Sequence, residues 1–273
     1  MIQRKVPRSA ERLPAIGLGT WRTFDVGRAE RARAPLREVL LRLVESGGRM
    51  IDTSPMYGSA ETVIGELVEE LGLRDRVFLA TKVWTRGKAS GVWQMEESLR
   101  KLRVQQVDLI QVHNLLDADI HLETLDEWRR RGRVRLVGIT HYERGGHELV
   151  ERLMRSHEPD FIQVNYSPAE PEAAKRLLPL AQDLGIAVIA NRPFGGGGLL
   201  RSLAARPLPD EAKPLGCRGW AQLLLKWIVA DPRVTCAIPA TASAAHAAEN
   251  GAAGQEPLPD AALRNRIAEA VRG

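Results

Sequence analysis

Strand-like and helix-like stretches alternate along this chain almost without interruption, and that alternation decides more about the fold than any single residue does. Apolar, β-branched runs stand at Met50–Asp52, Val77–Val83, Val107–His113, Leu136–Thr140, Phe161–Tyr166, Ala187–Ala190 and Thr235–Ile238, with a short glycine-rich one earlier at Ala15–Gly19. Between them lie amphipathic segments at Ala34–Glu45, Ala60–Leu71, Val92–Leu102, Leu122–Arg131, Gly146–Arg155, Ala173–Leu184, Trp220–Val229 and Ser243–Asn250. Apolar residues recur there at helical spacing. Gly47, Gly72, Gly132 and Gly185 follow the last turn of their segments, where helices commonly end in a left-handed residue. A series of about eight βα units predicts a parallel sheet covered by helices, either open and doubly wound or closed as a barrel.

The chain has 273 residues, which suits the closed form at its compact end. An open sheet of the dinucleotide-binding kind would carry a glycine fingerprint between an early strand and its helix. Here Gly17 and Gly19 supply two glycines, then Thr20, Trp21 and Arg22 follow with no helical pattern. The predicted class is therefore α/β, a (β/α)8 TIM barrel, formed as a single domain over residues 1–273. Gly195–Gly198 reads as a loop, and Pro257–Gly273 as one helix and a stub.

Hydrophobic residues at 44% and charged residues at 27% supply a sizeable core and exclude disorder as the main state. A net charge of +5 invites a nucleic-acid reading, but 32 of the 39 basic residues are Arg and acids are interspersed among them. Those spacings suit solvated helix faces, and the Arg129–Arg133 run suits a helix C-terminus. No nucleic-acid partner is expected. No run reaches the length of about 20 apolar residues that a spanning helix needs, so no membrane partner is expected either. Cys217 and Cys236 are too few for a disulfide framework and lack metal-ligand spacing, so no metal is expected. No apolar core of a signal peptide precedes Pro14. A monomer in the cytoplasm is the expectation, with an already removed export leader as the alternative.

In a closed barrel the C-terminal ends of the strands surround one pocket. Four polar residues fall at that level on successive units: Asp52 ends its strand, Tyr57 follows five residues later, Lys82 lies in the third run, and His113 ends the fourth. Ionisable groups at the ends of apolar runs are costly unless they pair with one another. A Tyr phenol is a poor acid at neutral pH; a buried ammonium beside it favours the phenolate, and an Asp on the Lys keeps that ammonium charged. A His at the next strand end can donate to a carbonyl oxygen. Such a set suits hydride addition to C=O. Singly, each has a duller reading: a helix-capping Asp, a packing Tyr, an edge Lys, a hydrogen-bonded core His.

Taken together, these residues resemble the aldo-keto reductases nearly end to end. Gly17 to Trp21 is similar to that family's opening strand. Met50–Glu61 resembles its signature, with Asp52 and Tyr57 in catalytic positions. Ala80–Trp84 resembles the segment of the catalytic Lys82, and Asp108–His113 that of the catalytic His113. The resemblance implies a compact barrel that binds NADPH, with NADH as the alternative, without a separate nucleotide domain. It also implies reduction of a small-molecule carbonyl substrate.

By the same resemblance the cofactor-binding residues are Gly19, Thr20, Trp21, Asp52, Thr140, His141, Gln163, Asn191, Arg192, Pro193, Phe194, Ile238, Thr241, Ser243, Glu249 and Asn250. Thr140 and His141 occupy the place of a Ser-Asn pair that holds the nicotinamide carboxamide, and Gln163 shares that duty. The segment from Ile238 to Asn250 is similar to the one that grips the adenosine end. Asn191–Phe194 stands where many members carry a Tyr that stacks on the nicotinamide, so Arg192 or Phe194 is the candidate planar partner. Ala240 and His246 stand where NADPH-specific members carry Lys and Arg, which puts 2′-phosphate selectivity in question. Trp21, Trp84 and His113 are the substrate-facing candidates. Two other readings fit the chain less fully: an NADPH-binding redox-sensing subunit with little turnover, and a barrel lyase using Lys82 as a Schiff-base nucleophile.

Overall fold

The computed structural model describes all 273 residues, and each apolar run becomes a strand of one parallel sheet. The N-terminal hairpin pairs β1 (Gln3–Lys5) with β2 (Arg12–Pro14). The parallel strands follow as β3 (Leu18–Gly19), β4 (Met50–Asp52), β5 (Phe78–Val83), β6 (Val107–His113), β7 (Val134–His141), β8 (Phe161–Asn165), β9 (Ala187–Asn191) and β10 (Cys236–Ala237). They are hydrogen-bonded in chain order from β3 to β10. Closure comes from the first and last strands: Gly17 N donates to Ala237 O (2.9 Å), Ala237 N to Ala15 O (2.9 Å) and Gly19 N to Pro239 O (3.0 Å). The seam requires small residues. A Cβ on Gly19 would stand 2.8 Å from Ile238 O, and one on Gly17 2.9 Å from Met50 Cβ.

The helices are α1 (Glu30–Glu45), α2 (Ala60–Glu70), α3 (Lys88–Leu102), α4 (Ala118–Arg130), α5 (His147–His157), α6 (Leu177–Leu184), α7 (Gly198–Leu203), α8 (Trp220–Val229), α9 (Ala244–Ala253) and α10 (Ala261–Arg272). None is long and apolar enough to cross a membrane. Several begin a turn before the sequence suggests. In α1 the proline at Pro35 lies inside the helix rather than at its start, because a first-turn preference of Pro is only a local signal. The short α7 runs on from Gly198, the last glycine of what reads as a loop.

Strand alternation divides the interior in two. Residues facing outward join the helices in a cluster of 64 buried side chains. Those facing inward form a separate cluster of 12, including Met50, Phe78, Ala80, Leu109, Phe161 and Ile189. Val6 and Leu13, flanking the tip of the N-terminal hairpin, belong to that inner cluster and stop the bottom of the barrel. A side chain two residues further along each strand points the same way. Above Met50 comes Asp52, above Ala80 comes Lys82, above Leu109 come Gln111 and His113, above Phe161 comes Gln163, and above Ile189 comes Asn191. The inner column is thus apolar below and polar at the C-terminal end, where the chemistry of this architecture resides.

Two arginines of the run that closes α4 are engaged by acids. Arg129 pairs with Asp126 (2.9 Å) and Asp160 (3.3 Å), and Arg133 pairs with Glu96 while lying over the Trp128 ring.

Candidate active site

β4, β5 and β6 bring Asp52, Lys82 and His113 to one level, and the turn after β4 returns Tyr57 over them. Lys82 has no exposed surface. Its Nζ donates to Asp52 Oδ2 (2.6 Å) and to the carbonyl of Thr53 (2.7 Å). The second oxygen of Asp52 accepts from Gln111 Nε2 (3.1 Å) and Gln163 Nε2 (2.9 Å). Burial pushes the Lys82 amine down, but Asp52, Tyr57 and Glu61 together outweigh it and hold the net value above the ordinary lysine range. Lys82 is therefore an ammonium with two of its protons engaged, which disfavours the Schiff-base reading, since that chemistry needs a neutral amine.

Lys82 Nζ lies 5.3 Å from the centre of the Tyr57 ring. From the sequence, that ammonium is expected to lower the phenol's pKa. Here burial is the larger influence and raises it; Lys82 opposes, Asp52 adds to the rise, and the net direction is up. The Tyr57 phenol is thus held in its protonated form. The His113 ring meets Tyr57 edge-on at 6.0 Å and lies 6.5 Å from Trp84. Burial, then the Lys82 and His141 charges, push His113 down to about 3, so it is a neutral imidazole at ordinary pH. Its Nδ1 meets Ser54 Oγ at 3.1 Å.

Trp21, Met56 and Trp84, 38 to 40% exposed, are apolar groups at the open end. Trp84 is held there by Gln94, whose side-chain oxygen accepts from Trp84 N (2.6 Å) and whose amide donates to Trp84 O (3.2 Å). The Arg22 guanidinium lies 4.2 Å over the Trp21 ring.

The model of the "Aldo/keto reductase family" matches residues 15–270. The chain belongs to the aldo/keto reductase family. It is 30% identical to the methylglyoxal reductase YeaE of Escherichia coli, over 92% of this chain and 89% of that protein. It is 30% identical to a 9,11-endoperoxide prostaglandin H2 reductase of Trypanosoma cruzi, over 82% and 77% of the two chains. An aldo-keto reductase of Klebsiella pneumoniae, solved in complex with NADPH, superimposes with a TM-score of 0.83 at 28% identity, covering 99% of this chain and 95% of the other.

Within this aldo/keto reductase, Thr140, Gln163 and Asn191, expected at the nicotinamide end, form one buried network. Thr140 Oγ1 donates to Gln163 Oε1 (3.3 Å), and Asn191 Nδ2 approaches the same oxygen at 3.5 Å. Gln163 is thereby tied to Asp52, Thr140 and Asn191 at once. The Asn191 side-chain oxygen is buried and has no partner. A carboxamide N–H is the donor it lacks, so the donor set fits a nicotinamide. His141 is anchored through Nδ1, which meets both the N and the O of Glu143 (3.0 and 3.1 Å), and its ring stacks on Tyr142.

Of the two planar candidates after β9, Phe194 packs into the outer cluster. Arg192 lines a cavity of 390 Å3 with Tyr142, His147 and Asn165, its guanidinium 5.5 Å from the Tyr142 ring. Pro193 is buried between them. Thr20 is buried and binds Asp52 O through its hydroxyl (2.9 Å), which fixes Trp21 beside the pocket. Gly19 serves barrel closure.

The segment expected at the adenosine end is built differently. Ile238 lies in the inner cluster. Thr241 Oγ1 accepts from Ser243 N (3.0 Å), and Ser243 Oγ caps α9 by accepting from His246 N (3.4 Å). Thr241 and Asn250 line a narrow crevice against Ile16–Leu18, whereas Glu249 is exposed. Across residues 240–246 the one ionisable side chain is the exposed His246.

Ser54, Gln94 and Gln111 escaped the sequence reading. Strand parity could have found Gln111, which sits one inward step before His113. Ser54 and Gln94 act across the fold and leave no local signal.

Proposed function

We propose that this chain is a monomeric, cytoplasmic NADPH-dependent carbonyl reductase that takes small aldehydes or ketones, with Tyr57 as general acid. The observation that carries the reading is the fully buried Lys82–Asp52 pair beneath Tyr57, beside a neutral His113. A buried ion pair is poor value for stability alone. Its placement next to a phenol is what a proton donor to C=O needs.

The nicotinamide cofactor supplies hydride to the carbonyl carbon when bound. Thr140, His141, Gln163 and Asn191 would hold its carboxamide, Asn191 through the unpartnered oxygen. Arg192 is the planar group on the cavity side, and the Thr241–Asn250 segment would take the adenosine end. On the chain's own side, His113 Nε2 directs a hydrogen bond at the carbonyl oxygen and orients it. Tyr57 passes its hydroxyl proton to that oxygen as negative charge develops there. The phenolate so formed is stabilised by Lys82, whose charge Asp52 balances, and is reprotonated from solvent. Gln111 and Gln163 hold Asp52 in place throughout. General acid help of this kind contributes about 10²- to 10⁴-fold.

The apolar rim of Trp21, Met56 and Trp84 supports small, weakly polar carbonyl compounds. The E. coli relative is named for methylglyoxal, which is the first compound to try. The test titrates the purified protein with NADPH and NADH by quenching of its six tryptophans, then follows NADPH consumption with methylglyoxal and a panel of aldehydes and ketones. Binding with turnover is expected. Tight binding without turnover across the panel would favour the redox-sensing reading, and binding of neither nucleotide would sink both. Because no cation stands at Ala240, NADH is expected to bind within about tenfold of NADPH, less than the gap a charge-assisted phosphate clamp creates.

A further inference from the structure

Ser54 takes no part in the catalytic set described so far, yet its side chain is hydrogen-bonded to the pocket histidine. It is completely buried, two residues beyond Asp52, and its hydroxyl has two contacts. Met56 N donates to it at 3.3 Å, and His113 Nδ1 lies at 3.1 Å. A serine hydroxyl carries one proton and needs an acceptor for it. The amide of Met56 already gives a proton to the oxygen, and within hydrogen-bond distance the acceptor that remains is Nδ1.

We infer that Ser54 is a positioning residue that fixes the tautomer of His113. Its O–H donates to Nδ1, so the single ring proton of the neutral imidazole sits on Nε2. That nitrogen makes no hydrogen bond within the protein and is the one left to face the pocket. The opposite arrangement would put a bare lone pair on Nε2 against the lone pairs of a carbonyl oxygen. It would also leave the hydroxyl proton of Ser54 without an acceptor in a closed site, where an unmet donor is costly.

The ring is held on both sides, by this bond and by the edge contact with Tyr57. Ser54 therefore sets which way the hydrogen bond points, and Tyr57 and Trp84 set where the ring stands. The inference rests on the reading that His113 faces the carbonyl.

The protein labelled with ¹⁵N-histidine tests it without substrate. Six histidine rings are present, and the signals of His113 are those lost in His113→Gln. In the native protein Nδ1 should resonate as an acceptor nitrogen and Nε2 as a protonated one. In Ser54→Ala the pair should move toward a mixture of tautomers, and kcat for carbonyl reduction should fall about tenfold, the worth of one misdirected hydrogen bond. NADPH affinity should stay unchanged. Ser54→Thr, which restores the hydroxyl, should recover the native signals.

A protonated Nδ1 in the native protein would overturn the inference outright. So would Ser54→Ala with an unchanged tautomer. Since the native resonances are read with no reaction running, a chain that reduced no carbonyl would defeat the reductase reading and leave this result to stand by itself.

Discussion

Asp52 and Asp108 are both buried carboxylates, 2 and 3% exposed, on strands that flank β5, but they sit at opposite ends of the barrel. Asp108, near the start of β6, accepts from Leu79 N (2.8 Å), from Arg135 (2.6 Å) and from Arg74 (3.3 Å). Glu11 extends that network to Arg49 (2.9 Å) and Arg135 (2.7 Å). These arginines keep 37 to 40% of their side chains in water. A guanidinium does not give up its proton, so the bottom network can only hold parts together. At the top, Asp52 faces an amine with no exposure at all, next to a phenol. A lysine in that setting responds to its neighbours' charge, and its energy changes when the phenol loses a proton. One carboxylate type thus serves cohesion at one end and, in the proposed reaction, proton chemistry at the other, and its partner decides which.

Substitutions can break this contrast or sharpen it. The largest effect belongs to Lys82→Met. It strands Asp52 without its counter-charge, at a cost of about 3–5 kcal/mol, and removes the stabiliser of the phenolate. Turnover should fall by orders of magnitude and the denaturant midpoint should drop together. Tyr57→Phe separates the two roles: kcat should fall by about 10²- to 10⁴-fold, with stability and NADPH affinity nearly native. Retention of most of the kcat would remove Tyr57 as proton donor.

Asp108→Asn is the matching change at the bottom. The bond to Leu79 N can persist while the half-exposed Arg pairs weaken, so unfolding should cost about 1–2 kcal/mol less. The kcat should not move, and a fall like that of Tyr57→Phe would collapse the distinction between the ends. The last effect is read against pH. His113 is held at about 3 in the fold against 6.5 for a free imidazole. The unfolded chain therefore takes up a proton that the folded one refuses. The stability this site contributes is present above about pH 6.5 and is lost as pH falls toward 3, by up to about 1.4 kcal/mol per unit. His113→Gln should show a flatter loss of stability between pH 7 and pH 5, and an equal slope would place His113 outside the buried set.

Parity along the strands explains how much of the site was legible. Asp52, Lys82 and His113 are polar groups at the ends of apolar runs, and a period of two sends each inward with Met50, Ala80 and Leu109 beneath it. The same rule explains why Thr81, beside Lys82, faces outward and bonds Glu61 (2.6 Å) instead. The N-terminal hairpin was illegible because Gln3–Lys5 has no apolar pattern. It is a strand because Val6 and Leu13 find the open bottom of a barrel made by residues far along the chain. The planar group after β9 was open between Arg192 and Phe194. Phe194 went to the outer core because that is where an aromatic ring loses most water.

The sequence by itself determined the layered βα series, the closed barrel and the residue types gathered at its mouth, since burial pattern and strand parity are local properties. Only the tertiary structure decided how those residues are protonated and held. Whether burial or Lys82 dominates Tyr57, which atoms satisfy Asp52, and that Ser54 stands behind His113 all depend on distances between strands and on the water excluded there. Electrostatic free energy is set by those distances and by that dry surrounding, and neither is written in any one stretch of chain.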